Sequence, residues 1–185
     1  MRPVDQTTSA EHAATLHASA YGTATISECG RYRYSLERIT DVAGPNVAWL
    51  MLNPSTADAS KDDPTIRKVV GFSRRAGYGV ALVVNLFAWR ATDPRDVRTN
   101  LADAEGAFNC AAIMQAVAIS DAVVCAWGVQ PWAREQAERV LWWLDEHPDG
   151  PRRLMCIDVA KGGAPVHPLM QPYSKGLRPF HARHR

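Results

Sequence analysis

No uninterrupted apolar stretch of about 18 residues occurs, which excludes a membrane-spanning helix on hydropathy. The opening residues, MRPVDQTTSAEHAATLHASA, lack the apolar core that a secretory signal needs. Cysteine is sparse: Cys29, Cys110, Cys125 and Cys156 stand far apart, with no Cys-x-x-Cys pair and no partnering histidine cluster. That spacing excludes a structural zinc, and Cys125 and Cys156 sit inside apolar runs as small hydrophobes. A reducing cytoplasm is the expected compartment. Charge of one sign is lacking too. The formal net charge is +2 and the isoelectric point about 8.4, which tolerates a polyanionic partner without arguing for one. Local basic bunches at Arg74-Arg75, Arg152-Arg153 and from Lys175 to Arg185 read as solvated surface. Internal repeats and low-complexity tracts are absent.

What is there is ordinary globular composition: 185 residues, 46% hydrophobic and 22% charged. A single domain of this length buries roughly two-thirds of its unfolded surface. Residues 1–28 are polar and weakly periodic, a loose or partly helical lead-in, so a single α/β domain is expected over 29–185. Arg31 to Ile39 alternates like a half-buried strand, and Asp41 to Asn46 reads as a turn around Gly44-Pro45. Four continuous apolar runs follow: Val47–Leu52, Val80–Val84, Ala122–Trp127 and Leu154–Ile157. Runs without alternation suit strands covered on both faces, as in a parallel sheet. Between them the chain reads as helix. Asp62-Asp63-Pro64 caps a helix ending at Gly77, Asp103 to Ile119 is Ala-rich, and Pro131 opens a third helix. That third helix buries Val140, Leu141, Trp143 and Leu144 and stops at His147-Pro148-Asp149-Gly150. Its tryptophans, with Trp132, Trp142 and Trp143, are expected in the core. Together these elements predict a three-layer α/β/α domain with a four-stranded, mostly parallel sheet and an added N-terminal antiparallel strand.

In open parallel sheets ligands bind beyond the carboxyl ends of the strands. Here the first run stops at Asn53-Pro54-Ser55, the second at Asn85 and the third at Trp127-Gly128. After the fourth, a loop delivers His167-Pro168 to the same side. Each has a plainer reading. Asn53 and Asn85 satisfy local backbone groups in such turns, Trp127-Gly128 packs a core and turns, and His167 lies in a surface loop. The functional reading is that all of them face one crevice.

At these residues a resemblance enters. Leu52-Asn-Pro-Ser-Thr-Ala-Asp58, Asp62-Asp-Pro-Thr-Ile-Arg67, Asn85-Leu-Phe-Ala-Trp-Arg-Ala-Thr-Asp-Pro94, Ala126-Trp-Gly128 and Gly163-Ala-Pro-Val-His-Pro-Leu169 resemble a bacterial and phage family, domain of unknown function 1643, over about residues 29–180. More distantly, the motif order is similar to the uracil-DNA glycosylase superfamily. That likeness implies a glycosylase-like fold in which Asn53 positions a water, Asn85 reads a base edge and His167 stabilises the anion of the departing base. It further implies substrate contacts from Pro54, Ser55, Trp127, Gly128 and Pro168, and a stacking aromatic among Phe87, Trp89 and Phe72. Leu169 or Met170 is then the wedge, and Tyr173, Ser174 and Lys175 approach phosphates. Two features differ from the superfamily pattern. The last motif is His167-Pro-Leu-Met-Gln-Pro-Tyr-Ser-Lys175, and the first lacks a leading glycine.

Three function classes follow. The first is a nucleobase- or nucleotide-directed protein, a DNA glycosylase-like hydrolase of an N-glycosidic bond, needing no cofactor or metal. The second is a metal-dependent hydrolase using Asp58, Asp62 and Asp63, with Asp93 nearby, although Asp62 and Asp63 read better as helix caps. The third is a non-catalytic module binding a nucleotide or nucleic acid in the same crevice through Arg67, Arg74, Arg75 and Arg90. The partner is accordingly DNA, a nucleotide or a nucleobase, and not a membrane.

Overall fold

A computed structural model describes residues 13–41, 43–146 and 153–181. The strands are β1 (Ala14–Ser19), β2 (Gly22–Ser27), β3 (Arg33–Ile39), β4 (Asn46–Met51), β5 (Val80–Asn85), β6 (Ala122–Cys125), β7 (Leu154–Cys156) and β8 (Arg178–Pro179). The helices are α1 (Pro64–Arg75), α2 (Pro94–Thr99), α3 (Leu101–Ala104), α4 (Asn109–Ala118) and α5 (Arg134–Glu146). The expected helix stop at His147 to Gly150, and Arg152, lie outside the described residues, as do residues 1–12 and 182–185.

One mixed sheet contains all eight strands, in the order β1-β2-β3-β5-β4-β6-β7-β8. This corrects the expected four-stranded, mostly parallel, glycosylase-like sheet. Among the described residues four pairings are antiparallel (β1–β2, β2–β3, β3–β5, β7–β8) and three are parallel (β4–β5, β4–β6, β6–β7). The cause is physical. Strands buried on both faces leave a continuous apolar run, and those are β4, β5 and β6, with the short, partly buried β7 beside them. Ala14–Ser19 is almost wholly exposed and Arg178–Pro179 is two exposed residues, so neither carries an apolar signature. For the same reason the polar segment read as a lead-in supplies, in residues 14–27, a hairpin that extends the sheet.

Alternation along each central strand sends side chains to opposite faces. Ala48, Leu50, Leu82 and Val84 pack with Ile113 and Val117 of α4 and Val140 and Leu144 of α5. Val47, Trp49, Met51, Ala81 and Val83 pack with Ile66, Val69 and Phe72 of α1. Trp49 is fully buried, and its indole N–H donates to Ser73 Oγ at 2.9 Å. Losing that acceptor would strand a buried donor, a cost of about 1–3 kcal/mol.

Between β2 and β3 the pairing slips. Thr25 faces Ser35 but Ile26 faces Arg33, so Tyr34 is an extra residue, a β-bulge. Regular alternation from Leu36 would point Arg33 to the opposite face; the bulge brings it onto the side of Ile26 and Leu36.

Two helical expectations are refined. The segment from Asp103 to Ile119 is broken between α3 and α4 at Gly106, whose φ is +77°. A Cβ there would meet the Tyr32 ring at 2.9 Å, so the aromatic packing requires glycine at this break. Trp132 and Trp143 pack against the core, but Trp142 lies outside it, 57% exposed.

Candidate functional site

A cleft of about 460 Å³ opens beyond the carboxyl ends of the central strands. Asn53, Ser55, Asn85, Trp127, Gly128 and His167, all expected to converge, line it together. Arg33, Asp63 and Thr65 line it as well. Its size falls in the roughly 300–1,000 Å³ range of small-molecule sites.

Asn85 ends β5 beside Met51 of β4, and its side chain is 1% exposed. Its backbone is pinned from behind: Asn109 Nδ2 on α4 donates to the carbonyls of Asn85 (2.9 Å) and Leu86 (3.2 Å), and Gln136 Nε2 on α5 donates to Leu86 at 3.1 Å. Yet neither Oδ1 nor Nδ2 of Asn85 itself has a partner among the described residues. A buried carboxamide left unsatisfied on both atoms costs stability unless a ligand completes it.

Asn53 is spoken for on one side. Its Nδ2 donates to Ala91 O at 2.8 Å and Pro54 O at 3.0 Å, tying the loop after β4 to that after β5. These bonds fix the amide plane and leave Oδ1 as the atom available to a ligand or water.

His167 packs under Gly128, whose φ of +79° turns the chain sharply after β6. The Leu169 N–H donates to His167 Nδ1 at 3.3 Å, which assigns the imidazole proton to Nε2. Burial pushes the His167 pKa down, opposed by the negative charge of Asp63. The ring is therefore a neutral donor at physiological pH.

Asp63 caps α1, accepting from Ile66 N at 2.8 Å through Oδ1. It is thus a cap, as expected, and also a carboxylate in the cleft, which the sequence reading did not combine. Its charge favours protonation of both His167 and Arg33. Arg33 is 2% exposed, and its Nη1 donates to Ala57 O at 3.1 Å while Nε has no partner among the described residues. Burial pulls its pKa down to about 10, so it remains a cation.

Other expected site residues lie apart from this lining. Phe87 is buried against Trp132 under α5, with ring centroids 5.5 Å apart. Trp89 packs edge-on against Tyr32. The Pro54 carbonyl serves Asn53 and Ala91, and Pro168 is buried at the first position of a short 3-10 turn after His167. Lys175 pairs with Asp158 at 2.6 Å, next to Ser174 in a second such turn. Tyr173 packs on Phe72 under the guanidinium of Arg75. Leu169 reaches the cleft, whereas Met170 is 84% exposed outside its lining.

The carboxylates considered for a metal are separately engaged. Asp58 accepts from Ser60 and Lys61 in its own loop, Asp62 pairs with the buried Arg38 at 2.7 Å, and Asp93 caps α2. No three ligating side chains gather among the described residues. The arginines considered for phosphate are engaged as well. Arg67 donates to Asp62 O, Arg74 pairs with Asp41, Arg75 donates to Gly71 O and Arg90 to Gly30 O.

Residues 33–169, well over half of the chain, match the family described as protein of unknown function (DUF1643). The chain belongs to this family. The DUF1643 match begins at Arg33 and ends at Leu169, so it takes in every cleft residue named above. The β1–β2 hairpin, Ser174 and Lys175 fall outside it. No curated protein and no solved structure matches the chain. The more distant likeness to the uracil-DNA glycosylase superfamily therefore gains no support, and the mixed sheet departs from the fold it implied. Among the described residues no helix is long and apolar enough to cross a membrane.

Proposed function

We propose that this DUF1643 protein recognises the base of a nucleoside or nucleotide in the cleft and that water hydrolyses the N-glycosidic bond joining it to the sugar, releasing free base. The observation that carries the reading is the Asn85 carboxamide, buried and, among the described residues, unpartnered on both polar atoms. An amide offers one donor and one acceptor side by side, the complement of a base edge with adjacent N–H and C=O or N groups. Trp127 supplies an apolar wall for the ring. The Nε2–H of His167 is a fixed donor for the base atom on which negative charge collects as the bond breaks. Asp63 is a better proton acceptor for the attacking water than any amide, and Asn53 Oδ1 is free to hold that water.

Release of free base is the direct test. Purified protein is incubated with nucleosides, nucleotides and oligonucleotides, with EDTA present, and products are separated chromatographically. Base release lost in Asn85→Ala, His167→Ala and Asp63→Asn is the expected result. Absence of both release and binding for every base would end this reading, and binding without turnover would leave a recognition module.

A further inference from the structure

Arg33 is an arginine in the cleft lining, and the base-hydrolysis reading does not use its charge. It carries a guanidinium with five N–H donors, is 2% exposed, and its side chain makes a single hydrogen bond among the described residues, from Nη1 to Ala57 O. Its Nε is buried without a partner, and no carboxylate lies within ion-pair distance of it among the described residues. A desolvated cation in that state is costly unless an anion and further acceptors complete it. The surrounding charges do not do so. Arg38 and Arg90 both disfavour the Arg33 cation, Asp62 is taken by Arg38, and Asp63 helps from beyond contact while its Oδ1 accepts from Ile66 N in the α1 cap. The β-bulge at Tyr34 is what turns Arg33 onto the cleft side, and bulges re-aim side chains in this way beside binding sites.

We infer that Arg33 is the anion-binding residue of the cleft, and that the ligand is a mononucleotide whose phosphate seats against it while its base meets Asn85. The base half of this inference rests on the function proposed above; the anion half rests on Arg33 alone. A mononucleotide is favoured over a polymer because Arg33 is buried, 2% exposed, in the lining of a cleft of about 460 Å³. The outer basic side chains are also tied to their own chain: Arg67, Arg75 and Arg90 to backbone carbonyls, Arg74 to Asp41, and Lys175 and Arg178 to Asp158. Asp63, in the same lining, repels the phosphate to some degree and so selects for its placement at Arg33 rather than at the α1 terminus.

The test is calorimetric titration of the full chain with matched nucleosides and nucleoside 5′-monophosphates, ribose 5-phosphate, inorganic phosphate and a single-stranded oligonucleotide. One monophosphate is expected to bind roughly tenfold or more tighter than its nucleoside, the scale of a charge-assisted, desolvated contact. Arg33→Gln should bring that ratio to near one with nucleoside affinity kept, and Arg33→Lys should recover part of it. Equal affinity of nucleoside and monophosphate for the wild-type chain overturns the inference and leaves the base reading standing. Arg33-dependent binding of ribose 5-phosphate as tight as any nucleotide supports the anion site and overturns the base reading. An oligonucleotide that outcompetes every mononucleotide overturns the choice of substrate class, and binding of none of the compounds overturns both. Should the Arg33 variants fail to fold, the wild-type ratio alone decides.

Discussion

Gly128 and His167 are in direct contact: a Cβ on Gly128 would lie 3.3 Å from Cβ of His167, on a backbone whose φ is already +79°. The sharp turn after β6 and the seat of the imidazole are one device. Gly128→Ala should therefore lose stability by about 1–2 kcal/mol from the left-handed backbone alone. It should also displace His167, visible as a shifted imidazole resonance in NMR spectra. A variant of unchanged stability and unchanged His167 signals would contradict this contact.

Asn85 and Asn109 should respond oppositely to the same substitution. Asn85→Leu removes two unsatisfied buried atoms at similar volume, so the free protein should gain about 1–2 kcal/mol while ligand binding is lost. Asn109→Leu breaks two bonds to the end of β5 and should cost about 1–3 kcal/mol. Urea unfolding of the two variants gives the comparison, and loss of stability in both would show that Asn85 is a structural amide.

His167 should titrate below the ordinary value of 6.5, because burial disfavours its charged form more than Asp63 favours it. Between its folded pKa and 6.5 the unfolded chain binds the additional proton. Its contribution to stability is thus complete above that window and is lost as pH falls through it. Imidazole resonances followed by NMR against pH measure the midpoint, and a midpoint above 6.5 would reverse the sign.

Removing Asp62 should cost about 2 kcal/mol or more, less than for a fully buried pair, because the Arg38 guanidinium, 3% exposed, keeps its backbone acceptors but loses its ion pair, while Asp62 itself is 33% exposed. Thermal unfolding of Asp62→Ala with and without Mg²⁺ tests this. A stability difference that appears only with Mg²⁺ would revive the metal reading.

Thiol reactivity should divide sharply. Burial raises the Cys29 pKa, but hydrogen bonds from Ser27 and Arg31 and the Arg31 charge outweigh it, and the exposed thiol ends below its ordinary range. Cys125 is pushed well up by burial and Cys156 is also raised. Alkylation followed by mass spectrometry should label Cys29 first, and Cys125 and Cys156 only on unfolding. Early labelling of Cys125 would contradict its burial.

Much of the cleft could be read from the chain because strands covered on both faces end abruptly. Asn53, Asn85 and Trp127-Gly128 interrupt apolar runs, and such interruptions mark where the sheet stops. Arg33 could not be read this way: strict alternation assigns it to the face opposite Leu36, and one inserted residue reverses that. Asp63 was legible as a cap but not as a cleft carboxylate, since capping geometry is local and cleft lining is not. Asn109 sits in an Ala-rich helical pattern, where nothing marks it as the residue that holds the end of β5. Phe87 and Trp89, read as stacking candidates, went to the core and to Tyr32, because an aromatic near a site is equally suited to packing.

By itself, the sequence determined four apolar strands, the helix capped at Asp63 and the polar or aromatic residues that close three of those strands, because period and capping are properties of neighbouring residues. Only the tertiary structure decided the eight-stranded mixed sheet, the reach of Arg33 and the separate partners of Asp58, Asp62 and Asp63. Edge strands without apolar runs, a one-residue slip in register and charge pairing at long range depend on residues far apart in the chain, and no local pattern encodes them.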